Sequence, residues 1–143
     1  MRILVINGPN LNLLGIRRPD VYGNQTLGEL EERCVEWGRE LGLVVETFQS
    51  NHEGAIIDRL HAALGSVDGV VINPGALTHY SYAIHDAIEA IALPTVEVHL
   101  SDTSAREPWR ARSVVAPACV ASIAGLGARG YRDALAVLAG LSR

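Results

Sequence analysis

The sequence contains no lysine; all twelve of its permanently cationic side chains are arginines, in a chain of 143 residues. That absence excludes a lysine Schiff base, a lysine-anchored pyridoxal phosphate and a lysine-dependent phosphate loop. Positive charge is also outweighed, because sixteen carboxylates leave a net charge of -4. This is the wrong sign for a general binder of nucleic acid or anionic membranes. Cysteine is scarce, and Cys34 and Cys119 have neither a CxxC nor a metal-ligand spacing. They read as small core hydrophobes in a reducing compartment. No apolar run approaches the roughly 20 residues a membrane helix needs, and the amino terminus opens into a strand pattern rather than a signal peptide. The expected location is the cytoplasm. No histidine pair has the HExxH spacing, so no metal is expected. No GxGxxG follows the first strand, because leucines separate Gly8 from Gly15, and nucleotide binding loses its usual signal.

What is present has the size and balance of one ordinary domain, residues 1–143, with 48% apolar and 20% charged residues. Short β-branched runs recur at Ile3 to Ile6, Leu43 to Phe48, Val70 to Ile72 and Thr95 to Val98, with a weaker run around Val120 to Ile123. Helical periodicity follows each run. The first helix begins after Thr26, with Glu29 placed for a capping box and Leu27, Leu30, Cys34, Trp37 and Leu41 as its apolar stripe. A second follows Asn51 and carries Ile56, Ile57, Leu60, Ala63 and Leu64. A third runs from about His79 to Ala92, before Pro94, and the last from about Tyr131 to Leu141. Alternating strands and helices of these lengths predict an α/β fold, a flavodoxin-like three-layer sandwich around a five-stranded parallel sheet in the order 2-1-3-4-5. There is no internal repeat or linker. Two stretches, Gly8 to Gln25 and Leu100 to Pro117, are long for connections inside a domain, and such loops are usually functional.

In such a sheet, ligands bind beyond the carboxyl ends of the strands, where the strand order reverses. Three polar strand ends converge there: Asn7-Gly8-Pro9-Asn10, Asn73-Pro74-Gly75 and Glu97-Val98-His99-Leu100-Ser101. Each alone reads as a turn; together they read as a site. Glu97 and His99 share one face of a strand, and a buried carboxylate needs a partner, for which the imidazole is the economical choice. A carboxylate that fixes or charges a histidine makes a general acid near neutral pH. His79 lies at the same crevice, whereas His52 and His61 look like surface residues. Arg17, Arg18 and Tyr22 share the loop after the first strand. A phenol of pKa near 10 needs roughly 4 kcal/mol of preferential stabilisation to ionise at neutrality, and a desolvated arginine supplies much of that. A solvated basic loop with a surface aromatic is the plainer alternative. Arg106, Arg110 and Arg112 either bind a small anion or decorate a loop.

These residues are similar to the signature of the type II 3-dehydroquinate dehydratase family. The segment Asn7 to Gly15, NGPNLNLLG, with Arg17 and Tyr22-Gly23, resembles it closely. Gln49-Ser50-Asn51, Asn73 through His79 with Asp86, Glu97 through Ser101, Arg106 with Arg110, and Gly125-Leu126-Gly127 before Gly130-Tyr131 agree in order and spacing. The resemblance spans essentially the whole chain and implies a cofactor-free enzyme that converts 3-dehydroquinate to 3-dehydroshikimate by anti elimination of water through an enolate. It implies Tyr22 as the base, Arg17 as the cation favouring its phenolate, Asn10 as the holder of a water against the enolate oxygen, and His99 as the acid with Glu97 setting its charge. It implies substrate contacts from Asn73, His79, Arg110, Leu100 and Ser101, and lid ordering by Arg106. It also implies a homododecamer, a tetramer of trimers, in which Asp86 reaches a neighbour's site. The chain departs from the family at Arg18, where a glutamate is common, and at Asp102 and Pro108. A flavodoxin-like binding or regulatory domain is the competing expectation, and it leaves Glu97 and His99 without a role. A hydrolase would lack its nucleophile elbow.

Overall fold

Ile3, Leu4, Val5 and Ile6 are all fully buried, as a strand covered on both faces requires. They belong to β1 (Arg2–Asn7), which pairs in parallel with β2 (Val44–Gln49) on one side and β3 (Gly69–Asn73) on the other. Adding β4 (Thr95–His99) and β5 (Ala121–Ala124) completes a five-stranded parallel sheet in the order 2-1-3-4-5. The structure is a computed structural model and describes residues 1–16 and 18–141, with the side chain of Tyr22 also outside the described residues.

Alternation along the strands separates two cores. Ile3, Val5, Val71, Val96 and Val98 face α2 (Leu27–Glu40) and α5 (Arg129–Leu141), where Leu30, Cys34, Tyr131, Leu135 and Leu138 pack. Leu4, Ile6, Val70 and Ile72 face α3 (Glu53–Ala62) and α4 (Tyr82–Ile91), meeting Ile56, Leu60, Ile84 and Ile88. Three layers result, as the sequence pattern predicts.

Local chemistry sets the boundaries. Thr26 caps α2 by accepting the Glu29 amide at 3.2 Å, but Glu29 receives the Thr26 hydroxyl at 3.0 Å, so the box closes between side chains. The third predicted helix is not continuous from His79. Gly75–His79 is a 3-10 turn, and Ser81 then restarts the chain by accepting the Ile84 amide at 3.1 Å at the head of α4. Ala92, in the left-handed region at φ 53°, ends it before Leu93 and Pro94. Two further expectations shift: Leu64 lies past the end of α3 and is 56% exposed, and Val120, equally exposed, precedes β5. The long loops carry local structure, including a 3-10 turn at Leu11–Leu13, the short helix α1 (Pro19–Tyr22), and 3-10 turns at Thr103–Ala105 and Pro108–Ala111. No described helix is long and apolar enough to cross a membrane.

The exits of β1 and β3 press together where the site opens. The Gly8 amide donates to Asn73 O at 2.8 Å, and a Cβ at Gly8 would lie 2.7 Å from the Pro74 carbonyl oxygen. Neither neighbour is a side-chain tip that swings aside. Gly8→Ala is therefore expected to cost about 1–3 kcal/mol, the usual range for overpacking. Urea denaturation checks this, and an unchanged midpoint would contradict it.

Candidate active site

The carboxyl ends of β1, β3 and β4 open into a cleft whose polar and cationic lining suits a small polar ligand. Asn10, Asn73, His79, His99, Leu100, Ser101, Arg106 and Arg110 line it, bringing together eight residues implicated from the sequence. Glu97 lies behind His99 rather than in the wall. Asp86 is exposed on α4 and does not line this cleft. Arg17 and the Tyr22 side chain lie outside the described residues; the Tyr22 backbone ends α1, ahead of Gly23 at φ 84°.

Glu97 is fully buried, and His99 is only 9% exposed. The Nε2–H of His99 donates to Glu97 Oε2 at 2.7 Å. Three hydroxyls from three other segments surround the same carboxylate: Thr78, Ser113 at 3.0 Å from each oxygen, and Ser122 at 3.2 Å from Oε1. Burial opposes ionisation of Glu97, yet the hydrogen bonds from His99 and Thr78, the charge on His99 and the Ser113 bond together hold its carboxyl below the ordinary range. The group is an anion served by donors. With Nε2 committed to Glu97, Nδ1 is the ring nitrogen of His99 left to deliver a proton into the cleft. The sequence pairing of these residues is thus realised, and the edge-strand alternative is not.

The opposite wall is also pre-set. His79 donates from Nδ1 to Arg112 O at 2.6 Å, which leaves Nε2 for a ligand. Trp109 meets the His79 ring edge-on at 5.1 Å and lies beneath the Arg110 guanidinium at 4.1 Å, while Arg110 also donates to Glu107. The three loop arginines separate, since Arg112 donates to the Tyr82 hydroxyl at 2.7 Å instead of lining the cleft. Arg18 does not stand alone as an added cation: it pairs with Asp20 at 3.2 Å. The Arg18 hydrogen bond is the main cause holding the Asp20 carboxyl low; Arg106 pulls in the same direction from the other long loop.

Asn73 bridges site and core. Its Nδ2 donates to the Tyr131 hydroxyl at 2.9 Å, its Oδ1 accepts the Gly75 amide at 3.1 Å, and Tyr131 donates to Asn7 Oδ1 at 2.6 Å. Burial raises the Tyr131 phenol far above its ordinary value, so it remains a donor. Asn10 is held in the left-handed region at φ 71°, and its amide donates to Asn51 Oδ1 at 3.0 Å. Gln49 steadies that contact through Asn51 and Gly8 O, which gives the Gln49-Ser50-Asn51 segment a role.

Ser113, Ser122 and Trp109 are site-shaping residues that motif spacing did not single out, whereas Thr78 and Tyr131 lie within the quoted motifs but had no role assigned to them. A glutamate inside a buried strand announces that donors must exist, but these hydroxyls come from segments far apart in sequence. His85, Asp86 and Glu89 also form a group on α4 with ligand atoms within 4.8 Å of one another, at a distance from the cleft wall.

Comparison with known proteins is consistent across the chain. The family profile described as dehydroquinase class II matches residues 1–139. The 3-dehydroquinate dehydratase of Caldicellulosiruptor saccharolyticus is 59% identical over 138 residues, covering 96% of this chain and 95% of that protein. The catabolic 3-dehydroquinase 1 of Aspergillus fumigatus is 54% identical over 133 residues, covering 93% and 89%. Among solved structures, the type II dehydroquinase of Butyrivibrio crossotus superposes with a TM-score of 0.94 at 48% identity, covering 96% of this chain and 97% of that one.

Proposed function

Since this chain belongs to the dehydroquinase class II family, we propose that it is a 3-dehydroquinate dehydratase whose residues 1–143 act as one catalytic domain. The observation that carries the mechanism is the buried Glu97–His99 pair at the floor of a cleft rimmed by asparagine, histidine and arginine. Tyr22, as a phenolate favoured by the Arg17 cation, takes a proton from C2 of the substrate. The electrons move onto the C3 carbonyl oxygen, and the resulting enolate is steadied by a water held by Asn10. The enolate then expels the C1 hydroxyl, which leaves as water after taking a proton from His99. Glu97 keeps that ring oriented and its charge paired. Leu100 and Ser101 take the substrate carboxylate through their amides and the Ser101 hydroxyl, while Asn73, His79 and Arg110 hold the ring substituents. Arg106 orders the loop over the cleft. No metal or cofactor enters these steps, and the reaction serves aromatic biosynthesis or quinate breakdown.

The same reading includes assembly as a homododecamer, a tetramer of trimers, with Asp86 contributed to a neighbour's site. Its support is positional, because Asp86 is exposed and absent from the wall of its own cleft. Buried Cys34 and partly buried Cys119, both free thiols, fit a reducing compartment such as the cytoplasm.

The test is to add 3-dehydroquinate to purified protein in the presence of a chelator and follow the conjugated enone absorbance. Turnover should persist, and borohydride with substrate should leave no adduct on any internal side chain. Absence of enone from the folded protein would refute the assignment.

A further inference from the structure

Ser113 sits where the loop that begins at Leu100 returns to the sheet. Its Oγ accepts the amides of Val115 at 3.2 Å and Ala116 at 2.9 Å. A serine hydroxyl has two lone pairs and one proton, so with both lone pairs occupied the proton is directed to Glu97, 3.0 Å away. Thr78 Oγ1 lies 2.9 Å from the same Ser113 oxygen and, finding it already filled, also donates to Glu97. The neighbours of Ser113 dock on the 3-10 turn at Gly75–His79: Arg112 O receives His79, and the Val114 amide donates to Thr78 O at 2.8 Å. One docked segment therefore touches His79, the Glu97 carboxylate and, a few residues earlier, the cleft through Arg106 and Arg110.

We propose that Ser113 is a positioning residue that ties the arginine-bearing loop to the acid pair, its hydroxyl fixing the Glu97 carboxylate and, through it, the nitrogen by which His99 faces the cleft. The effect on turnover rests on the dehydratase reading; the geometry itself does not. Besides His99, the titratable and charged groups around the pair are His79 behind Thr78, Arg106 and Arg110 on the cleft rim, and Cys119 on the approach to β5. Burial, with the nearby Glu97 charge, pushes the Cys119 thiol up to about 12, so it stays a neutral S–H, which donates to Val115 O at 3.5 Å.

The experiment follows the Glu97 carboxyl by carbon-13 NMR and the His99 ring by nitrogen-15 NMR in the free protein, for the wild type, Ser113→Ala and Ser113→Thr. Glu97→Gln assigns the carboxyl signal. Ser113→Ala should move the Glu97 midpoint up by about one pH unit or more, as expected for one lost charge-assisted hydrogen bond. Ser113→Thr, which restores a donor, should bring it back. In turnover, Ser113→Ala should lower kcat about tenfold with KM changed less than about twofold, the pattern of a lost transition-state interaction. Should the alanine variant not fold, Ser113→Cys, a weak donor of similar shape, should shift the midpoint in the same direction. An unmoved Glu97 midpoint with unmoved His99 ring signals in the folded variant would overturn the proposal, as would a loss of thermal stability alone. A shifted midpoint in a protein whose wild type forms no enone would refute the dehydratase reading and leave the role of Ser113 standing.

Discussion

Replacing His99 with alanine should lower kcat for 3-dehydroquinate about 1,000-fold while KM stays within about threefold, as expected for a group that delivers its proton in the transition state. A loss of that size corresponds to about 4 kcal/mol. The expectation follows from geometry. His99 is the cleft-facing side chain backed by a buried anion, and its Nε2–H is already spent on Glu97 at 2.7 Å. A departing hydroxyl needs a proton from the ring atom that remains. His79 does not replace it, because its Nδ1 is backed by the neutral Arg112 carbonyl and not by a buried carboxylate, and its ring is set edge-on against Trp109. Retention of more than about a tenth of kcat, less than roughly 1.4 kcal/mol of lost barrier reduction, would remove His99 from this role. The alanine substitution should also leave Glu97 with one donor fewer in a buried site, so a drop in unfolding free energy accompanies the kinetic loss and is measured separately by urea denaturation.

Tyr22→Phe should cost as much again, about 1,000-fold in kcat, because no other phenol belongs to the loop that follows β1 and phenylalanine has no oxygen to accept the C2 proton. Its interest is greater when combined with a second inactive variant. Asp86→Ala should also be inactive if Asp86 completes a neighbour's site. Subunits carrying Tyr22→Phe and subunits carrying Asp86→Ala, dissociated and reassembled together, should regain activity above either parent, since some sites would combine an intact Tyr22 with an intact Asp86 from the adjoining chain. No recovery in verified mixed oligomers would place Asp86 outside the shared site. The structure changes the placement from which sharing was inferred. The sequence placed His79 and Asp86 on one continuous helix, two turns apart, but the chain breaks at Tyr80–Ser81 between a 3-10 turn and α4. His79 therefore turns into its own cleft, while Asp86 stays on an exposed helix face.

The sheet was legible because burial on both faces demands continuous β-branched runs, and Ile3 to Ile6 or Val70 to Ile72 have no other economical reading. The break at Ser81 was not legible, because the apolar spacing through Ile84, Ile88 and Ile91 extends backward onto Leu77 without interruption; only the Ser81 side chain, capping Ile84 and donating to Glu53 at 2.6 Å, shows where the helix starts. Within the site, the pairing of Glu97 with His99 followed from strand alternation alone. The hydroxyls that make Glu97 tolerable did not, because Thr78, Ser113 and Ser122 meet only after the connections from β3 to β4 and from β4 to β5 bring their segments together. Arg18 shows the same limit. It reads as an added positive charge in sequence, and its partner Asp20 two residues on becomes evident only when the chain enters α1 with Arg18 at φ 42°.

The mechanism is tested most directly by the fate of one hydrogen. 3-Dehydroquinate carrying deuterium at C2 on the face opposite the C1 hydroxyl, incubated with the purified protein, should give 3-dehydroshikimate that has lost the label, because Tyr22 and His99 are assigned to opposite faces of the ring. Retention of that label, with loss of the hydrogen on the same face as the hydroxyl, would contradict anti elimination and the division of base and acid between the two residues.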